Sequence, residues 1–275
     1  MLEPIHKAAG ALGAFADVDL AARLNDNAFI QELETALYEH EVLFFRRQRL
    51  TPPEFAKLAS GLGSIETHPA YITLSDCPDV QILESTPENP SKIEVWHSDM
   101  TFRQQPPSIT LLYGKTIPAY GGDTLWTSAA MAYQTLSKPM QHLLDGLEAE
   151  HDFAYGFRES LEEPGGLDRL GEAVKDNPAV THPVIRTHPR SGKKALFVNP
   201  LFTKRLKGLS RPESDALMRL LFDHLTAIEH TVRLNWEPGT IAIWDNRTTQ
   251  HRPVNDFLPQ IRVMHRVTVA GEVPE

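Results

Sequence analysis

Apolar residues along the chain recur with two different periods, and the switches between those periods outline the elements. Phe29, Leu33 and Leu37 fall at helical spacing and are followed by the continuous apolar run Val42–Phe45, which predicts a helix and then a strand. Thr51-Pro52-Pro53-Glu54 places Thr and Glu three apart with proline in the first turn, a capped helix start; Phe55, Leu58 and Leu62 line one face and Gly63 ends it. Short β-favouring runs follow at 80–83, 109–113, 124–126, 184–185, 195–198, 231–234, 241–244 and 261–269. So many short strands predict a sandwich or barrel. Helical patterns at 128–133 and 140–147 interrupt them. A second capping box, Ser210-Arg211-Pro212-Glu213, opens a helix carrying Leu217, Leu220, Leu221 and Leu225. These helices are expected outside the sheets. Strands and helices do not alternate regularly and no glycine-rich phosphate loop follows a strand, which disfavours a doubly wound nucleotide-binding sheet. The segment 159–177, rich in charge and glycine, reads as a mobile surface excursion and a possible lid.

Composition narrows the class. With 275 residues and 41% hydrophobic content the chain can bury a sizeable core, and with no repeat, low-complexity stretch or linker in view a single domain over 1–275 is expected. A net charge of -9 argues against nucleic acid or an anionic membrane as partner, so an anionic small molecule must be met by local cations. Cys77 is the only cysteine, which rules out an intrachain disulfide, makes a thiolate metal site unattractive and fits a reducing, cytoplasmic setting. No basic region followed by a long apolar run signals export or anchoring.

Candidate chemistry begins at Trp96-His97-Ser98-Asp99-Met100-Thr101-Phe102. An imidazole and a carboxylate two residues apart leave the same face of an extended segment and can share one ion. His251, just after the apolar run 241–244, is the candidate third ligand. Two His and one carboxylate leave open coordination positions opposite, the arrangement of non-haem Fe(II) oxygenases. Alone, an HxD triplet is more often a surface pair. The last strand adds weight: Ile261, Val263, Val267 and Val269 alternate with Arg262, Met264, Arg266 and Thr268, so two arginines point one way. If the valine face packs between sheets the arginines face water; if the strand lines a barrel, each guanidinium demands an anion. Periodicity leaves both orientations open.

Taken with Gly121-Gly122-Asp123-Thr124-Leu125-Trp126, Glu150-His151-Asp152-Phe153, Thr187-His188-Pro189, Ala195-Leu196-Phe197-Val198-Asn199 and the stretch 244–251, these residues resemble the taurine/2-oxoglutarate dioxygenase family along nearly the whole chain. The resemblance implies a mainly β fold with flanking helices, a double-stranded β-helix or jelly roll, with Fe(II) held by His97, Asp99 and His251, and with 2-oxoglutarate and O2 as co-substrates. It implies that Thr124 and Arg262 bind the distal carboxylate of 2-oxoglutarate. It also implies that His68 and Arg266 grip a sulfonate and that Tyr71, Phe157 and Phe202 wall the pocket. The other histidines, among them His151, His188, His224 and His265, read as structural or surface.

Two positions depart from the taurine dioxygenase pattern: Ile93 stands where an Asn is usual and Gly156 where a Ser is usual. Both remove polar groups from the place a taurine amine would occupy, which favours an apolar tail. The expected reaction is hydroxylation of the carbon bearing sulfur in taurine or another organosulfonate, releasing sulfite and an aldehyde. The text around His251, Arg252 and 264–268 also resembles alkylsulfatase members, which act on alkyl sulfates. A zinc hydrolase built on the same three side chains is a further alternative, but it gives Arg262 no task. Symmetric self-association is also expected.

Overall fold

The computed structural model describes residues 4–68 and 71–275. Among these residues the largest sheet has nine strands. Along its main path they run in the order Ile5–Lys7, Ala14–Ala16, Val42–Phe45, Ile241–Asp245, Ile109–Thr116, Arg262–Val269, Cys77–Ser85 and Thr73–Leu74, with Ile65–Glu66 pairing beside Arg262–Val269. Its pairings are antiparallel except for Ala14–Ala16 against Val42–Phe45. A second sheet faces it, with Thr124–Ser128 between Thr231–Leu234 and Thr249–Pro253. The chain thus folds as a jelly roll flanked by helices.

The central strands of the large sheet are apolar at consecutive positions because both of their faces are covered. Val42, Phe44, Leu112, Ala242, Trp244 and Met264 point toward the second sheet, where they meet Trp126, Val232, Leu234 and Trp236. Leu43, Phe45, Leu111, Tyr113, Ile241, Ile243, Val267 and Val269 point the other way, onto the helices Asn27–His40 and Pro52–Leu62. Trp126 and Trp244 are almost fully buried between the sheets. Burial of roughly 150–250 Å² per ring at about 25 cal/mol per Å² contributes roughly 4–6 kcal/mol of transfer free energy each.

The expected capping boxes are present. Glu54 accepts from the Thr51 amide at 2.8 Å, and Glu213 from the Ser210 amide at 2.8 Å. The latter helix, Arg211–Leu225, packs with Ala129–Thr135 over Val184, Leu196 and Leu206. The segment 159–177 is largely helical, as Arg158–Glu162 and Gly166–Asp176, where the sequence suggested a loose excursion. No helix among the described residues is long and apolar enough to cross a membrane.

Candidate active site

His97 is brought to His251 by the backbone. The two residues form an isolated antiparallel bridge, with the His97 amide donating to the His251 carbonyl at 3.0 Å and the His251 amide donating back at 2.8 Å. This places the imidazole centroids 4.2 Å apart. Asp99, two residues on, points to the same side, and candidate ligand atoms of His97, Asp99 and His251 all lie within 4.8 Å of one another. The HxD turn is therefore pinned to the edge strand Thr249–Pro253 of the second sheet.

The large sheet supports the carboxylate. Thr110 donates its hydroxyl to Asp99 Oδ2 at 2.7 Å, and Arg266 Nη2 lies 2.7 Å from Asp99 Oδ1. The angle at Arg266 makes that contact an ion pair without a well-directed hydrogen bond. Asn246 completes the support: it donates to Thr110 Oγ1 at 2.8 Å and accepts from Trp244 Nε1 at 3.0 Å and from the Asp99 amide at 3.3 Å. Burial works against ionisation of Asp99, but the Arg266 guanidinium and the Thr110 hydrogen bond hold its carboxyl well below the usual range. Burial also pushes His97 down, and burial with the neighbouring His97 pushes His251 further down, so both rings are neutral.

Neutral imidazoles beside an ionised carboxylate are the donor set a divalent ion needs. His97 Nδ1 lies 2.9 Å from the Val95 carbonyl, which can only accept, so the proton sits on Nδ1 and Nε2 keeps its lone pair. His251 Nδ1 is buried and finds no hydrogen-bond partner among the described residues. Three donors, one lone pair oriented by a carbonyl, and an unmatched ring nitrogen fit a metal ion.

The last strand turns its arginines inward. Arg266 is 3% exposed and Met264 0%, while Val267 and Val269 sit on the opposite, helix-covered face. The water-facing orientation that periodicity left open is therefore not the one adopted. Arg262 Nη2 meets Thr124 Oγ1 at 3.4 Å, and the same hydroxyl accepts from Trp236 Nε1 at 2.9 Å. Burial brings the Arg262 pKa down to about 10, its Nε is unpartnered, and among the described residues no carboxylate pairs with it. The nearby Asp123 is engaged by Arg233 at 2.6 Å and Asn235 at 2.9 Å. A buried guanidinium in this state fits an incoming carboxylate.

The remaining expected residues gather on the other side of Asp99. Arg266 lies over the Tyr71 ring at 5.6 Å, and the His68 ring lies 4.6 Å from Tyr71, 5.9 Å from Phe102 and 6.2 Å from Phe157. Phe157 and Phe202 are 6.1 Å apart and belong to one apolar cluster with Met100, Phe102, Phe153 and Leu201, onto which Ile93 also packs. Gly156 has a steric reason to be glycine: a Cβ there would fall 2.4 Å from the Phe202 ring.

Sequence reading missed Thr110, Asn246 and Trp244 as supports of Asp99. Nothing in their spacing marks them, since Thr110 and Trp244 come from two strands that only the sheet makes neighbours and Asn246 lies in the turn just after the second. It also missed Leu170, Ala173 and Val174, which pack on the Phe202 cluster.

With this geometry in place, comparisons with known proteins identify the chain's relatives. Residues 2–268 match the family described as taurine catabolism dioxygenase TauD, TfdA family. The chain is 38% identical to an alkylsulfatase of Acinetobacter baylyi over 98% of its own length and 85% of the relative's. It is 39% identical to an alpha-ketoglutarate-dependent sulfate ester dioxygenase of Pseudomonas putida, covering 98% and 90% respectively. A solved taurine dioxygenase from Burkholderia xenovorans superposes with a TM-score of 0.84 at 34% identity, over 98% of this chain and 90% of that one. The chain belongs to the TauD, TfdA family and is an alpha-ketoglutarate-dependent dioxygenase, an oxidoreductase.

Proposed function

We propose that this chain, acting as one catalytic domain, uses Fe(II), 2-oxoglutarate and O2 to hydroxylate the carbon next to an anionic sulfur group, in an organosulfonate or a sulfate ester. The observation that carries the reading is one buried strand supplying two guanidiniums, Arg266 beside the His97, Asp99 and His251 trio and Arg262 at Thr124, each short of a full set of partners.

His97, Asp99 and His251 would hold the metal, and with 2-oxoglutarate and O2 that centre supplies the oxidising power that replaces C–H by C–OH. Arg262 and Thr124 would grip the distal carboxylate of 2-oxoglutarate. Thr110 and Asn246 keep Asp99 from turning, so the ligand face stays in place as substrate enters. Arg266 is shared between Asp99 and the substrate head group, and His68, neutral because burial depresses its pKa, would complete that grip. Positioning the C–H in this way makes the attack effectively intramolecular. A hydroxylated sulfonate collapses to an aldehyde and sulfite, and a hydroxylated sulfate ester to an aldehyde and sulfate.

The apolar cluster around Phe202 favours an alkyl tail over taurine's amine, and the relatives named alkylsulfatase and sulfate ester dioxygenase favour the sulfate ester over the sulfonate. Family membership leaves the zinc hydrolase without support. A reducing cytoplasm, in keeping with the lone Cys77, would keep Fe(II) available. The test is O2 uptake and succinate formation with Fe(II) across taurine, alkanesulfonates and alkyl sulfates, with sulfite and sulfate measured separately. Uptake that no organosulfur compound stimulates would sink the substrate class.

A further inference from the structure

The helix Gly166–Asp176 has no part in holding metal or 2-oxoglutarate, yet it is built against the substrate side of the site. Leu170, Ala173 and Val174 pack on the cluster containing Phe202, together with Ile93 and Phe157. Leu170, Val174, Ile93 and Phe157 are each only partly buried, so each keeps apolar surface free for contact. The residues of this cluster are apolar, so an ammonium or hydroxyl on a substrate tail lying among them would lose water and gain nothing.

Exposed ion pairs tie the turn before the helix to the loop that carries Ile93. Glu163, just before the helix, takes Lys92 Nζ on both carboxylate oxygens at 2.6 and 2.5 Å and Arg169 at 3.1 Å. Lys92 neighbours Ile93, whose carbonyl is held by Asn255 at 3.2 Å. Gly166 seats the helix closely, since a Cβ there would lie 2.2 Å from the Ser160 carbonyl oxygen.

We propose that the helix Gly166–Asp176 is the tail-binding wall of the substrate cavity and that Leu170 and Val174, with Ile93, set the length of alkyl chain accepted. The proposal rests on the reading that the anionic head group lies at Arg266 and His68. The His68 ring touches both regions, lying against Phe157 on one side and Tyr71 on the other. A head held at Arg266 therefore directs its tail along Phe157 toward the helix.

The test is calorimetric binding of n-alkyl sulfates from ethyl to octyl, under anaerobic conditions, to protein loaded with Fe(II) and 2-oxoglutarate. Wild-type affinity should rise about fourfold per methylene until the wall is reached. Val174→Phe should end that rise earlier, lowering octyl sulfate affinity about tenfold, and Leu170→Ala should extend it. Leu167, on the same helix but 70% exposed, provides the control, and Leu167→Ala should keep the wild-type profile. Unchanged 2-oxoglutarate affinity in each variant establishes that the fold is intact. A chain-length profile that is flat in wild type, or identical in Val174→Phe and Leu170→Ala, overturns the wall and leaves the head-group reading standing. Failure of every alkyl sulfate and alkanesulfonate to bind overturns both.

Discussion

His188, Asp245 and Arg247 are drawn from the same chemistry as His97, Asp99, His251 and Arg266, and they too are buried. Their hydrogen bonding differs. His188 Nδ1 accepts from the amides of Arg190 and Ser191 at 3.1 and 2.9 Å, and its Nε2 meets Asp245 Oδ2 at 2.9 Å. Asp245 receives Arg247 through Nε at 2.8 Å and Nη2 at 2.7 Å. Around Asp99, by contrast, His251 Nδ1 and Arg266 Nη2 lack hydrogen-bond partners, as does Arg262 Nε farther along the last strand. Burial of a His, an acid and an Arg therefore does not by itself mark a site. A cluster that satisfies itself holds the fold, here the turn that leads into the His251 strand, while one that leaves donors and lone pairs unmatched invites a ligand.

Substitution at the two clusters should separate their roles. His251→Ala is expected to reduce 2-oxoglutarate-dependent O2 uptake by more than the roughly 100-fold typical of losing a group that merely supports a ligand. The urea midpoint of the metal-free protein should fall less than with Asp245→Ala, because the variant strands no ion-pair partner and the cost is limited to lost packing against His97 and Trp244. Retained activity would break the contrast at its centre.

Asp245→Ala should do the reverse. It strands His188 and Arg247 and is expected to cost about 3–5 kcal/mol in urea unfolding, with 2-oxoglutarate affinity preserved in whatever protein remains folded. A smaller loss than that of Asp99→Ala in the same assay would undo the assignment of Asp245 as the fold-holding member.

Glu41 lies beside the self-satisfied cluster and tests its tolerance of charge. Burial pushes its pKa up to about 7, with Lys193, 3.3 Å away, opposing the shift only in part. The folded state thus binds the proton more tightly than the unfolded chain does. The contribution of Glu41 to stability is full below pH 4.5 and is lost as pH rises through about 7, by about 3 kcal/mol. Glu41→Gln should flatten the dependence of the unfolding free energy over that window, and a slope identical to wild type would count against the shift. The smallest effect is expected at Lys207, whose 3.1 Å bridge to Glu148 is exposed on both sides. Lys207→Ala should move the unfolding free energy by no more than about 0.5 kcal/mol.

Much of this arrangement was legible in advance. The runs at 42–45, 109–113 and 241–244 are strands because consecutive apolar residues suit a sheet covered on both faces, and both capping boxes lie where Thr51 and Ser210 predicted. The strands Glu148–His151 and Thr203–Leu206 escaped notice because charged residues interrupt them, and Val180–Pro183 because a single Val is too little apolar pattern to read. Leu167, Leu170 and Val174 stand at helical spacing within 159–177, a readable signal obscured by the glycines and charges around it.

From its sequence alone this chain declares which residues can share a face, where helices begin, and that two imidazoles, a carboxylate and two guanidiniums are available. Only the tertiary structure decides what each face meets: that Arg262 and Arg266 turn toward the interior, and that His97 is bridged to His251 by two backbone hydrogen bonds. Periodicity is a property of one segment, whereas the free energy of burying a charge depends on what the rest of the chain places opposite it.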